Sequence, residues 1–425
     1  MNLPTFGQRG AQPRASSRTC ATRVLILSAS VGMGHVRAAE AIESAVREVA
    51  PAVTVQNVDV LGLTNAAFRR AYRDSYLALI NHAPWLFGYF YDLFDRPTPP
   101  AWAADRLRLA VEQFNLSRLR RVVEGTPWDV VVSTHFLPAG LIASLRRQAH
   151  ITTPHVTATT DFDAHRLWVN QPCDHYCAAT EEAAAYLHSW GVPRADITIT
   201  GIPIHPVFAR PKPRDLCLTR QHLPGDRPIV LQLAGGFGVG PIKDIHRALL
   251  GIEIPLDIVV VAGRNEEARR RLLDMPPDRT HRRHIRGFVT DVDELMQVAD
   301  VVVSKPGGLT TAEVLARGAV MAVVHPVPGH EARNSDYVLE HGAGVKVNSL
   351  GTLAWKLTGL LRSPERLARL KRHARHAARP RAAFVIARLA LTVGSAALHG
   401  SRPTAGPSDR DARPDVPPSP RRTRR

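Results

Sequence analysis

The chain predicts an α/β protein made of two Rossmann-like halves that face each other across a cleft. Three observations carry this. At 425 residues it is long enough for two full-sized cores. Short apolar runs recur along it, at 24–28 (VLILS), 128–133 (WDVVVS), 229–233 (IVLQL), 258–261 (IVVV) and 301–303 (VVV). Each is of the kind that forms a strand buried on both faces of a parallel sheet. Several of these runs open onto glycine-bearing turns that lead into helix-patterned segments, which is the local grammar of a βα unit.

Taken in order, residues 1–20 are rich in Pro, Gly, Ser, Arg and Gln and read as a disordered leader. The first half spans 21–204. Its opening strand turns through Gly32 and Gly34 to His35, ahead of a helix with apolar positions at Ala38, Ala41, Ile42, Ala45 and Val49. This is a nucleotide-style turn but not a dinucleotide fingerprint, because Arg37 stands at the third glycine position. Residues 53–60 predict a second strand. Between Phe68 and Phe94 lie nine of the chain's 25 aromatic residues, among them Tyr72, Trp85, Phe87 and Phe90, with three arginines at the start. Such a cluster suits entry into a lipid headgroup layer. It equally suits a buried core or lid. His135, at the end of the 128–133 run, and Asp161, Asp163 and His165, after 155–160, stand where open α/β sheets bind ligands.

Residues 205–228, rich in Pro, Arg and Asp, read as a linker. The second half spans 229–362. Gly238, Val239 and Gly240 follow its first strand, and Gly263 and Asn265 follow a later one. The glycines let backbone approach a diphosphate closely. Residues 304–331 read SKPGGLTTAEVLARGAVMAVVHPVPGHE. Gly307 and Gly308 there open a helix N-terminus suited to phosphate. Leu309 and Thr310 follow, and Glu313 stands about one turn further on, within reach of a ribose. Residues 363–400 predict helices that cross back to the first half or lie at an interface. Residues 401–425 predict a disordered basic tail.

Composition narrows the partners. The formal charge is +17, yet residues 362–425 hold sixteen Arg or Lys against four Asp or Glu, so +12 of it lies there. That argues against a nucleic-acid groove across the folded halves and for a basic tail near an anionic membrane surface. No apolar run is long enough to span a membrane, and no secretory segment is evident. Cys173 and Cys177 lack a second ligand pair and read as core residues, so no metal site is expected.

The 304–331 string, with GMGH at 32–35, TDFDAH at 160–165, ATEEAAAYL at 179–187 and GIPI at 201–204, resembles the GT-B glycosyltransferases of family 28. The similarity is greatest to the diacylglycerol glucosyltransferase and monogalactosyldiacylglycerol synthase branch, and it runs with gaps from residue 24 to roughly 348. The resemblance implies a UDP-hexose in the second half. The glycines would meet its diphosphate, Glu313 its ribose, and Phe288 and Val289 its uracil. Glu331, in the Pro-Gly-His-Glu loop, would face the hexose, with Asn334 close by. Arg333-Asn334 replaces a pair of amides found in the lipid II branch, so glucose and galactose both stay open. In the first half the resemblance implies His35 as general base, and imidazole has the proton affinity for it. Asp161, Asp163 and His165 would orient that base or contact sugar or glycerol, or equally form a satisfied turn, and the aromatic cluster with His135 and His165 would serve the lipid acceptor.

The expected activity is inverting transfer of a hexose to diacylglycerol, giving a β-glycoside, by a cytoplasmic protein peripheral on the inner face of the plasma membrane. Helix N-termini would meet the charge on departing UDP without a metal or other cofactor. Asp161-Phe162-Asp163 has the form of a metal-binding DxD but lies in the acceptor half. Other readings compete: a sugar-nucleotide 2-epimerase, a glycosyltransferase acting on another lipid alcohol, a binding protein that kept the pocket, and, most weakly, a nucleic-acid binder. Specific nucleic-acid binding is not expected, and the sequence does not speak to oligomeric state.

Overall fold

The computed structural model describes residues 22–64, 70, 88, 89, 93, 95, 116–235 and 240–398. The leader, the aromatic positions Phe68, Tyr72, Trp85, Phe87 and Phe90, the loop residues Gly238 and Val239, and the tail at 401–425 lie outside the described residues.

Two six-stranded sheets form the frame, and every pairing in them is parallel. The first contains β1 (Arg23–Ser28), β2 (Thr54–Asp59), β3 (Val130–Ser133), β4 (His155–Ala158), β5 (His175–Ala178) and β6 (Ile197–Ile199), in the order β2-β1-β3-β4-β5-β6. The second contains β7 (Ile229–Leu233), β8 (Asp257–Val261), β9 (Arg282–Arg286), β10 (Val301–Ser304), β11 (Val320–Val324) and β12 (Gly344–Val347), in the order β12-β11-β10-β7-β8-β9. Counted from its own first strand, the second sheet has the Rossmann order. The strand order reverses between β1 and β3 and between β7 and β10, and ligands sit at such reversals beyond the strands' carboxyl ends.

The unbroken apolar runs follow from burial on both faces. Val24 and Ile26 of β1 face one core, while Leu25 and Leu27 face another with Leu119, Leu141 and Ile142. Six helices matter for the site. They are α1 (Met33–Val49), α2 (Phe136–Arg147), α3 (Gly308–Arg317), α4 (His330–Glu340), α5 (Pro364–Ala377) and α6 (Ala382–Leu398). The stripe Ala38, Ala41, Ile42, Ala45 of α1 is fully buried, as its 3.6-residue spacing requires. Gly318 ends α3 in the left-handed region (φ 65°), the usual glycine stop.

Within residues 364–397 one 18-residue window is apolar enough, by length and composition, to cross a membrane, but 61% of that window is buried in protein. Ala383, Phe384, Ile386, Ala387 and Ala390 of α6 lie in the core formed by α1, β1 and β3. The last helix is therefore packed on the first half, and its apolar face is spent there. The stretch expected as linker holds a helix at Arg214–Arg220, whose Cys217 is buried with Leu231 and Val302 of the second half. That core also takes in Ala38, Phe162 and Ile202, so the two halves share packed side chains.

Two buried histidines make the fold sensitive to acid. His155 in β4 is fully buried, with Nε2 2.9 Å from Ser133 Oγ, and burial pushes its pKa down to about 3. His246 is fully buried without a hydrogen bond to either ring nitrogen, and burial pushes it down to about 4. Both are depressed from 6.5, so the unfolded chain binds protons more readily. The stability they contribute is present above pH 6.5 and is lost as pH falls towards 4 and then 3. At about 1.4 kcal/mol per unit, the loss is on the order of a few kcal/mol for each histidine. Thermal melts between pH 7 and pH 4 should show the Tm falling, with a smaller fall in His246→Leu.

Candidate active site

The β1 turn delivers His35 to the first reversal point. Gly32 caps α1 in an extended conformation (φ −142°), and His35 follows within the first helical turn. Its Nδ1 lies 3.1 Å from the Thr134 carbonyl oxygen and 2.9 Å from Thr160 Oγ1. A carbonyl only accepts, so Nδ1 carries the proton and donates it to Thr134, which leaves the Nε2 lone pair as the basic site. Burial lowers the pKa of this ring below its ordinary value, and His330 lowers it further. The Asp161 carboxylate and the Thr134 carbonyl act the other way. The ring is thus neutral at physiological pH, the state in which it can take a proton.

Two further first-half histidines, His135 and His165, cap helices. His135 is 2% exposed, and its Nδ1 accepts from Leu137 N–H at 3.0 Å, capping α2. Its ring packs edge-on to His35 with centroids 4.4 Å apart. Burial and the neighbouring His35 hold its pKa well below the usual value. His165, also 2% exposed, accepts from Leu167 N–H at 3.1 Å and lies 3.7 Å from Asp95. Both were expected to meet the acceptor. Both are buried caps, because a buried imidazole at a helix start satisfies an otherwise orphaned N–H.

The turn at 160–163 is held from the second half. Asn334 of α4 is fully buried; its Oδ1 accepts from Phe162 N–H at 2.9 Å, and its Nδ2 donates to Asp161 at 3.2 Å. Both ends of the Asn334 amide, expected near the donor, are thus engaged by this turn. Arg333 donates to Asp163 at 3.0 Å and to Asp95 at 2.9 Å. Asp163 is therefore an ion-pair partner rather than a free catalytic carboxylate, although burial raises its pKa against the pull of Arg333. Asp95 also accepts from Arg166 N–H at 3.0 Å and from the Tyr186 hydroxyl. The Phe162 ring stacks on Tyr337 at 4.2 Å.

Across the cleft, α3 begins at Gly307 and Gly308 with no side-chain cap, so its N-terminal N–H groups are offered to an anion. Gly240 (φ 125°) lies opposite: the Nζ of Lys305 is 4.0 Å from where a Cβ on Gly240 would stand. An ammonium between two glycine turns suits a phosphate, and Lys305 stands within SKPGG. Gly263 (φ 64°) turns the end of β8. Asn265, expected near the donor, caps the helix Glu266–Leu273 by accepting from Ala268 N–H at 2.8 Å. Phe288 is 57% exposed with the Arg264 guanidinium 5.1 Å above its ring, and partly buried Val289 follows it, packed against the second half's core.

Leu309 is buried near Gly34, and Thr310 is partly exposed beside it. Glu313 is 3% exposed and pairs with Arg37 of α1 at 3.2 Å. Burial raises its pKa, and Arg37 offsets part of that. The carboxylate expected at a ribose thus already has a cationic partner from the other half. Glu331 accepts from Val327 N–H at 2.8 Å and braces the loop that Gly329 (φ 90°) turns into α4. Among the described residues no group of three or more His, Cys, Asp or Glu side chains is placed to hold a metal ion.

Residues 35–204 match the family model for monogalactosyldiacylglycerol (MGDG) synthase. Over 366 residues the chain is 28% identical to a processive diacylglycerol beta-glucosyltransferase of Bacillus cereus, covering 84% of this chain and 90% of the relative. In sequence the chain is similar to both. A Bacillus thuringiensis protein of the same name matches equally, at 28% over 366 residues. Among solved structures, Acinetobacter baumannii MurG superposes with a TM-score of 0.57 at 18% identity, covering 87% of this chain and 99% of MurG. The S. aureus MnaA–UDP structure does so at 0.56 and 13%, covering 91% and 100%. These likenesses establish the GT-B fold. A UDP-GlcNAc 2-epimerase from Neisseria meningitidis also shares it, at 0.53 and 15%, covering 87% and 100%, so the fold alone does not separate transferase from epimerase.

Proposed function

We propose that the protein is an inverting glycosyltransferase that moves a hexose from a UDP-sugar to the free hydroxyl of a diacylglycerol-type lipid. One observation carries the mechanism: a neutral His35, its Nδ1–H fixed on Thr134, stands across the cleft from the Gly307–Gly308 and Lys305 phosphate cradle. His35 Nε2 accepts the hydroxyl proton as the lipid oxygen bonds to the anomeric carbon. The bond from that carbon to the β-phosphate oxygen breaks, and UDP leaves with the electron pair. The α3 N-terminus and Lys305 meet the charge that develops there. Attack opposite the leaving group turns an α-linked donor into a β-glycoside, and the reaction so drawn uses no metal.

The names of the relatives support the lipid acceptor. Such an acceptor places the protein at a membrane surface, and the cytosolic supply of UDP-sugars places it on the inner face. Radiolabelled UDP-glucose and UDP-galactose, each supplied with diacylglycerol in anionic liposomes, test the reading. Label in a lipid-extractable glycolipid from either donor supports it and names the sugar. No transfer from either, with UDP binding intact, overturns it and returns the epimerase reading.

A further inference from the structure

The base is held on one side by a turn whose every residue is also held by the donor half. Thr160 Oγ1 touches His35 Nδ1 at 2.9 Å, and a Cβ on Gly308 of α3 would fall on the Thr160 carbonyl oxygen. Asp161 accepts from Asn334. Phe162 gives its N–H to Asn334 and stacks on Tyr337. Asp163 pairs with Arg333. Nothing in proton transfer itself demands that four successive residues beside a base be tied to the opposite half. Asn334 and Arg333 both lie in α4, immediately after the loop that Glu331 braces, so movement at the donor's sugar end reaches this turn through one rigid helix.

We infer that the 160–163 turn is a relay, with Asn334 and Arg333 as positioning residues, through which the docked donor half sets His35 for proton transfer. This rests on the transferase reading above. Its consequence is chemical economy: when the halves part, Asp161 and Thr160 lose their bracing, and the base is poorly placed to activate any hydroxyl, water included. Hydrolysis of the UDP-sugar is thereby suppressed while no docked complex exists. The charged and titratable groups that bear on His35 are Asp161, His330 and His135. Only Asp161 favours the protonated ring, so its displacement lowers the proton affinity of His35.

The test follows the His35 ring by NMR in the full-length protein with UDP present, in wild type, Asn334→Leu and Asp161→Asn. The expected result is a His35 pKa shifted down in both variants, with the double variant moving no further than Asp161→Asn alone. In parallel, kcat for transfer should fall about 10- to 100-fold in Asn334→Leu, with KM for the UDP-sugar within about twofold. The acid limb of the kcat/KM profile should move to lower pH. Arg333→Lys should retain more activity than Arg333→Met. A His35 titration unmoved by Asn334→Leu, or fully additive effects in the double variant, would overturn the relay. Should Asn334→Leu not fold, Asn334→Ser replaces it under the same criteria. The NMR titration needs no turnover, so failure of the transfer reading and failure of the relay are separable.

Discussion

His35→Gln should lower the transfer rate about 10²- to 10⁴-fold, the range a positioned general base contributes, while UDP binding stays unchanged. The glutamine side chain is close to imidazole in size, but its amide offers no basic nitrogen where Nε2 stood. The wild-type pH profile should agree. Since burial outweighs the Asp161 charge, the His35 pKa lies below its ordinary value of 6.5. The active, neutral ring then predominates through neutral pH, and kcat/KM falls only as pH drops through that lowered pKa. An acid limb centred above pH 7, or near wild-type transfer by His35→Gln with diacylglycerol, would remove His35 from the role.

Gly308→Ala should be nearly as damaging, for a steric reason. The added methyl would land on the Thr160 carbonyl oxygen, with Ile202 Cδ1 3.3 Å away, so the α3 N-terminus and the base-bearing turn cannot keep their present approach. Backbone faces backbone there, and no flexible side chain can give way. A displacement of about 1 Å between reacting groups is enough for a loss of about 10²-fold. Overpacking at the shared interface should also destabilise by about 1–3 kcal/mol. Steady-state kinetics beside a thermal melt separates the two effects. Activity within a few-fold of wild type would show that the halves do not react in this docked arrangement.

Much of this architecture can be read from the chain, and the remainder fails for identifiable reasons. The runs at 24–28, 130–133, 229–233, 258–261 and 301–303 announce themselves because both faces of a parallel sheet are covered. By contrast β9, Arg-Arg-His-Ile-Arg, carries no apolar signal. It is an edge strand secured by charge, with Arg282 and His284 on buried Asp257 at 3.0 and 2.8 Å. β5 hides likewise behind His175 and Tyr176, which burial satisfies through Thr198 and Asn170. At the site, GMGH marks His35 and SKPGG marks the phosphate cradle. Asn334 on Asp161, Arg333 on Asp163 and Arg37 on Glu313 join residues far apart in sequence. No local spacing encodes them. His135 and His165 illustrate the converse: residue type and strand-end position suggested chemistry, and capping geometry claimed both side chains.

The most direct test of the central claim is the anomeric configuration of the glycolipid made from an α-linked UDP-hexose and diacylglycerol, read from the proton coupling at the anomeric carbon. Single displacement with His35 as base predicts the β-anomer, formed with one UDP released per sugar transferred. An α-linked product, or free hexose in place of glycolipid, would contradict the account.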